Sequence, residues 1–504
     1  MERFVFRPRV VPLPELARAS SARASRPGGD VAWDAFRRLA ARRDPVFLDS
    51  AGGTPARFDL IGFDPLPDPE AQHGDAARSR EEAWGREGVR GLGALLERLV
   101  PEQGDGLPDG CPFAGGFLGA LAYELGPGDE RLALPADPWS ENGADRDAEA
   151  AANGRGGPAH MPRVLGGLYV DFLVVDRLRE ESYLVLAEDP GDGRAPWQER
   201  RDAILAALRA PAPALAFRAD GPLHRHIPAA EHRARVERVR AAIERGEIYQ
   251  ANLVQRFTRP VTGDPLGYYA RLRRAHPAPY MGFVRSAGRA VLSASMELLL
   301  ELGRDGGGRY ARTRPIKGTI ARGASPGLDR DAAARLLASE KDLAELAMIV
   351  DLERNDLGRI ARAGSVAVPD FPTLESYATV HHLVADVRAR PRPEADACEV
   401  LASLFPGGSI TGAPKLRAME ILADIEGEGR GFSFGSMGFL DLAGRACFNL
   451  LIRSPLWRAR PDLAPDAGEV TYRVGGGITW ASDPAGEDRE SLLKGMALAE
   501  ALER

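Results

Sequence analysis

The chain has 504 residues, more than the ~100 to 200 of one domain, so two or three domains' worth of core is the starting expectation. Hydrophobic residues make up 44%, charged residues 27%, and the net charge is -6, a balance that excludes a mostly disordered chain and gives no general attraction to nucleic acid or anionic lipid. Three cysteines without CxxC spacing indicate neither a disulfide framework nor a zinc site, no apolar run reaches the ~18 residues of a bilayer span, and a reducing cytoplasm is the expected location.

Phe4 to Pro14 reads as a strand, which weighs against taking the Arg/Ser/Ala stretch Arg18 to Arg26 as a transit peptide. Short strand-like runs follow at Val46–Leu48, Phe58–Ile61, Gly167–Val175 and Ser182–Ala187, broken by Pro and Gly, so residues 1–215 read as a mostly β domain. Trp139 to Pro162 is polar and rich in Gly and Ala, a solvated surface insertion. Ala210 to Gly221 reads as a linker before an amphipathic helix, Ala229–Glu244, with Val236, Val239 and Ile243 at helical spacing. The second domain, residues 225–504, mixes strands (Met281–Val284, Val291–Ala294, Ala446–Arg453, Val470–Val474) with helices (Asp331–Asp351, Pro414–Ile425, Pro484–Leu502).

Several constellations could carry chemistry. Ala338 to Val350 is apolar around nearly its whole circumference, which predicts a buried helix and gives Glu345 either an arginine partner or a hard cation. Glu487, Glu490 and Lys494 fall on one face of the last helix, either a solvated charge stripe or, with Gly475-Gly476-Gly477 at the exit of the preceding strand, an anion site. Phe405 to Lys415 fails the GxxxxGK[ST] phosphate-loop pattern at Ala413 and reads as a turn into a helix, with Thr411 at its start. Lys317 is either a surface lysine in a turn or, its ammonium disfavoured by a tight segment with arginines nearby, a nucleophile. His381-His382 reads as packing rather than metal ligation, since no Cys or His stands at metal spacing.

In order, Gly246–Leu253 (GEIYQANL), Ser295-Met296-Glu297, Pro315–Thr319 (PIKGT), Val350–Gly358 (VDLERNDLG), Gly407–Lys415, Ile452-Arg453 and Gly475–Lys494 resemble the chorismate-binding family of anthranilate, aminodeoxychorismate and isochorismate synthases. The resemblance covers about Ile227 to Arg504. It implies an α+β fold of large antiparallel sheets sandwiched by helices. It also implies Mg²⁺ held by Glu345 and Glu490 with Glu487 beside them, and substrate carboxylates near Arg453, Lys494 and the Gly476-Gly477 amides, with His382 and Thr411 in the pocket. Met296, Leu346, Ser433 and Ala481 depart from the family's usual Pro, His or Asn, aromatic and Asp.

Lys317 stands where amination at C4 is expected and Ala is usual for anthranilate formation, while Gln250 replaces the lysine expected for hydration at C2. The implied reaction joins chorismate and ammonia into 4-amino-4-deoxychorismate, for 4-aminobenzoate and folate, through a Lys317 adduct with Glu297 as acid. No Cys/His glutaminase site is apparent, so ammonia is expected from solution or a separate glutamine amidotransferase subunit. In the first domain, Asp49, Ser50 and Arg57 resemble a tryptophan-pocket segment, and Gly115 to Glu124 the family's Gly-rich strand. The alternatives are anthranilate synthesis on the same fold and a non-catalytic tryptophan sensor.

Overall fold

A computed structural model describes residues 3–14, 16, 30–51, 57–67, 88–102, 106–126, 134–135, 162–188, 193–377 and 380–503. The Arg18–Arg26 stretch and residues 139–161 of the expected insertion lie outside the described residues. The strands form one sheet of 14 and one of 9 strands, antiparallel throughout except where Phe4–Pro12 runs parallel to Leu99–Pro101.

Three apolar clusters fix the layering. Val46, Leu60, Phe172 and Val284 of the larger sheet meet Leu118, Ala120, Leu165 and Met437 of the smaller one, which stacks the sheets face to face. The outer face of the larger sheet is covered by Val31–Leu39, Trp197–Arg209, Pro265–Ala275 and Pro484–Glu503 through Phe36, Ile204, Leu272 and Leu498. Glu340–Gly358 and Ala397–Leu404 cover the smaller sheet through Leu346, Val350, Val400 and Leu401. The result is the expected α+β sandwich. Strands from both sides of the Ala210–Gly221 stretch share both sheets: Tyr280–Ser286 pairs with Val46–Asp49, and Ser436–Asp441 with Gly116–Leu121.

The Ala229–Glu244 helix forms as its periodicity predicts. Three expectations need correcting. The helix expected over Asp331–Asp351 is two, Pro326–Leu337 and Glu340–Gly358, because the Ser339 side chain accepts from the Asp342 N–H and caps a new start. The strand expected to reach Arg453 stops at Leu450, and Arg453 turns into the left-handed region at φ 49°. Gly475–Gly477 lie inside the strand Ala467–Ile478 rather than at its exit, since that strand stays paired with Gln250–Gly263 as far as Ile478 opposite Ala251.

One buried ion pair locks the site's backbone. Arg430, 2% exposed, bonds both carboxylate oxygens of Glu426 at 2.7 and 2.9 Å, and it donates to the carbonyls of Ile410 (2.9 Å) and Asn252 (2.8 Å). Replacement by methionine (Arg430→Met) strands the Glu426 carboxylate in the core, which costs about 3–5 kcal/mol. Urea unfolding of the variant is expected to show that loss; a change below about 1 kcal/mol would mean the pair is dispensable.

Candidate active site

Lys317 lies on Ile316–Ala321, at the edge of the smaller sheet, paired with Val380–Ala389. This is a strand and not the turn that a surface lysine would need. The register breaks between Lys317 and Thr319 because Gly318 adopts φ 77°, a bulge of the kind that redirects a neighbouring side chain. Lys317 is part-buried. Burial pushes its ammonium below the ordinary lysine range and Lys494 acts the same way, while Glu345, Glu297 and Glu490 pull against them.

Glu297 sits between the strands Arg289–Ser295 and Leu298–Asp305, its N–H donating to Ser295 Oγ at 3.2 Å and its carbonyl accepting from Leu450 at 3.1 Å. It is 4% exposed and Oε1 has no hydrogen-bond partner. Burial raises its pKa, opposed by the Ser409 hydroxyl and Lys317, so its acid form persists above the usual carboxylate range. Ser409 escaped the sequence reading; its place in Gly407–Lys415, beside Thr411, was the available signal. Thr411 is fully buried and ends the short turn Gly408–Ile410 instead of opening the helix, which starts at Lys415. Its hydroxyl donates to the Gly407 carbonyl at 2.9 Å.

His382 lies opposite Thr319, whose hydroxyl is 2.8 Å from its Nδ1, and its Nε2 is buried without a partner. Burial and the nearby Arg453 lower it to about 4, so the imidazole is neutral at pH 7. Burial also lowers the pKa of Arg453, whose guanidinium has no carboxylate partner among the described residues. An arginine held this way is suited to an incoming carboxylate.

Glu487, Glu490 and Lys494 converge over Gly476. A Cβ there would lie 3.1 Å from Glu487 Oε2, 3.6 Å from Lys494 Nζ and 3.9 Å from Glu490 Oε1. A Cβ on Gly477 would instead strike Gln250, on the other face of the strand, so Gly476 alone floors the charged cluster. Lys494 pairs with Glu490 at 2.8 Å and donates to the Gly475 carbonyl at 3.1 Å. Glu345, expected deep in the core, keeps 18% of its side chain exposed because Ala344 and Ala347 face solvent, and it meets Lys341 at 3.8 Å. The deeply buried acids of that helix are Glu353 and Asp356. Lys341 was also missed, though its i, i+4 spacing to Glu345 was a usable signal.

Among the described residues no three acidic or imidazole side chains form a closed metal-ligand set. In donor chemistry, Glu345, Glu487 and Glu490 nevertheless fit a hard divalent cation, and the missing Cβ of Gly476 leaves a cradle beside two of them.

Asp49, Ser50 and Arg57 line a separate cavity of about 410 Å³ between the sheets, with Tyr280, Met281, Glu301, Cys447 and Asn449. Their polar groups are already engaged. Asp49 takes Arg273 at 2.6 Å, Ser50 donates to Asp59 at 2.7 Å, and Arg57 Nε donates to Asp176 at 2.9 Å.

The sequence pattern of the chorismate binding enzyme family spans residues 143–500, beginning earlier than the motifs from Ile227 onward. The chain belongs to the chorismate-binding enzymes. Its relatives include an aminodeoxychorismate synthase component 1 of Klebsiella aerogenes, 38% identical over 383 residues and 76% of each chain. An anthranilate synthase component 1 of Streptomyces coelicolor is 35% identical over 491 residues, 93% of this chain and 86% of the relative. The structure of anthranilate synthase component I from Streptococcus pneumoniae matches with a TM-score of 0.67 at 25% identity, over 88% of this chain and 93% of that one.

In this chorismate-binding enzyme, Gly476→Ala places a methyl among three charged side chains without entering the core. We expect kcat/KM for chorismate to fall about 10²-fold, as for a misplacement near 1 Å, with thermal unfolding unchanged. Unaltered kinetics would remove the Gly476 cradle from the substrate site.

Proposed function

We propose that the chain is an aminodeoxychorismate synthase component 1, converting chorismate and ammonia to 4-amino-4-deoxychorismate and water. The observation that carries this reading is Lys317, part-buried, its ammonium held below the ordinary lysine range by burial and by Lys494, and grouped with the buried acid Glu297. Aminodeoxychorismate synthase relatives at 31–38% identity support it.

The neutral Lys317 amine attacks C2 of the ring while the C4 hydroxyl leaves as water, taking the Glu297 proton. Ammonia then attacks C4 and expels Lys317 as an amine, and the surplus proton on the new ammonium returns to Glu297. No pyruvate is lost. Arg453 and Lys494 hold substrate carboxylates, and neutral His382 offers Nε2 at the same wall. Glu345, Glu487 and Glu490 would hold Mg²⁺, which supplies charge neutralisation for a substrate carboxylate when bound. The designation "component 1" of the relatives supports a partner component, here a glutamine amidotransferase delivering ammonia. The product then serves 4-aminobenzoate and folate synthesis in the cytoplasm.

Lys317 acts in its neutral form, so the rate rises with pH through a value below the ~10.4 of an ordinary lysine, and it falls again where Glu297 loses its proton. Incubation with chorismate, Mg²⁺ and ammonium is expected to give aminodeoxychorismate by mass spectrometry, and Lys317→Ala is expected to abolish that product. Anthranilate with pyruvate from the wild-type chain would overturn the assignment in favour of the activity named for the Streptomyces coelicolor relative.

We also read the cavity between the sheets as a site for tryptophan, held by Leu48, Tyr280, Met281 and Phe439 on its apolar walls and by Glu301 and Arg312 at its polar ones. Calorimetry with L-tryptophan is expected to show saturable binding that Cys447→Phe, which fills the cavity, eliminates. Equal heats from both proteins would place the ligand elsewhere.

A further inference from the structure

The helix Glu340–Gly358 buries two acids three residues apart, Glu353 at 2% and Asp356 at 4% exposure. Asp356 has a cation, Lys415, at 2.7 Å, and Lys415 also donates to the Leu404 carbonyl at 3.0 Å. Glu353 is in no ion pair among the described residues, and its Oε2 makes no hydrogen bond. A buried acid with neither an ion pair nor a full set of donors is expensive unless it does something.

Its surroundings point at Glu297. Leu352, the preceding residue, packs on the turn Gly408–Ile410, where a Cβ on Gly408 would meet Leu352 Cδ2 at 2.6 Å. The next residue in that turn, Ser409, stands near the Glu297 carboxyl and lowers its pKa, with its Oγ in no hydrogen bond. On the other side, Thr313 Oγ1 donates to the carbonyl of Leu298, one residue past Glu297, at 3.4 Å, and the same hydroxyl meets the Glu353 carboxyl. Two buried carboxyls, each with one unpartnered oxygen, thus border the Thr313 and Ser409 segments. The charged groups around Glu353 are Glu297, Asp356 of its own helix, and Lys415. Burial, then the Glu297 charge, keep Glu353 protonated well above the usual carboxylate range, since two adjacent buried carboxyls do not ionise together.

We propose that Glu353 is the proton store for Glu297, a positioning residue that never meets chorismate but refills the acid that does. The inference rests on Glu297 being that acid. When the Glu297 O–H breaks and its proton leaves with the C4 oxygen as water, the Glu353 O–H breaks in turn, a new O–H forms on Glu297, and the negative charge comes to rest on Glu353 near Lys415. When ammonia has added at C4, the surplus ammonium proton passes to Glu297 and the Glu297 proton to Glu353, restoring both acids.

The amide isostere Glu353→Gln keeps volume and neutrality and removes only the transferable proton. It is expected to lower kcat at least about tenfold, below the ~10²–10⁴ of a directly acting acid, with KM for chorismate unchanged and the alkaline limb of kcat moved to lower pH. Glu353→Asp is expected to recover part of the rate, and Thr313→Val, which removes the hydroxyl beside Glu353 and leaves both carboxyls, to repeat the shift. Wild-type kcat and pH profile in Glu353→Gln or in Thr313→Val would overturn the store. Mass spectrometry of the product in the same assay separates this from the amination reading. A different product sinks that reading, whereas the alkaline limb alone decides on Glu353.

Discussion

The ladder between Gln250–Gly263 and Ala467–Ile478 is the constraint on which the rest of the molecule depends. Its register runs unbroken from Ala251 opposite Ile478 to Thr262 opposite Ala467, and the two backbones lie so close that a Cβ on Gly475 would fall 2.0 Å from the Leu253 carbonyl. A slip of one residue would turn every side chain to the opposite face. It would put Gly477 beneath the carboxylates and Gly476 against Gln250. Pro484–Glu503 leaves the end of this ladder, so the register also decides where Glu487, Glu490 and Lys494 stand. Arg430 fastens the same strand to the turn Gly408–Ile410 through the carbonyls of Asn252 and Ile410.

The site built on that frame alternates charge. Lys341 faces Glu345, Lys494 faces Glu490, and Lys317 feels both carboxylates as well as Glu297. In a part-buried environment neither a bare lysine nor a bare carboxylate is cheap, and alternation lets each offset the other. Lys317 escapes full compensation because burial and Lys494 outweigh the acids around it. The same packing that makes it a poor cation makes it a better nucleophile. Arg453, held at φ 49° with no acid partner among the described residues, is the complementary case, a cation placed to receive charge from a bound anion.

Much of this was legible in the sequence, for reasons that can be named. Ala229–Glu244 was visible because Val236 and Val239 repeat at helical spacing and are both buried. Glu487, Glu490 and Lys494 share a face by arithmetic alone, and the ordered motifs tied them to Gly476. What failed depended on tertiary context. Leu346 and Ile349 pack against the core while Ala344 and Ala347 face solvent, and an apolar alphabet does not distinguish a buried alanine from an exposed one. The break at Ser339 was a cap signal hidden inside an otherwise helical run. Glu353, inside the motif VDLERNDLG, was not singled out, because Thr313 beside it and the Gly408 turn against Leu352 are distant in sequence.

The cavity between the sheets and the acid Glu297 share backbone. Glu301 and Leu302 line the cavity from the strand Leu298–Asp305, which begins one residue after Glu297. Asn449 lines it as well, donating to the Tyr280 carbonyl at 2.7 Å and lying opposite Leu298, while Leu450 donates to the Glu297 carbonyl. A ligand pressing on Asn449 therefore pushes on the residue whose neighbour positions the acid. Contiguity of this kind becomes regulation only when the shared strands have two arrangements with different affinities for the cavity ligand. The irregular register between Leu298 and Leu300 against Asn449 and Phe448 is where such a pair of arrangements would cost least, because a ladder already broken loses few hydrogen bonds by shifting.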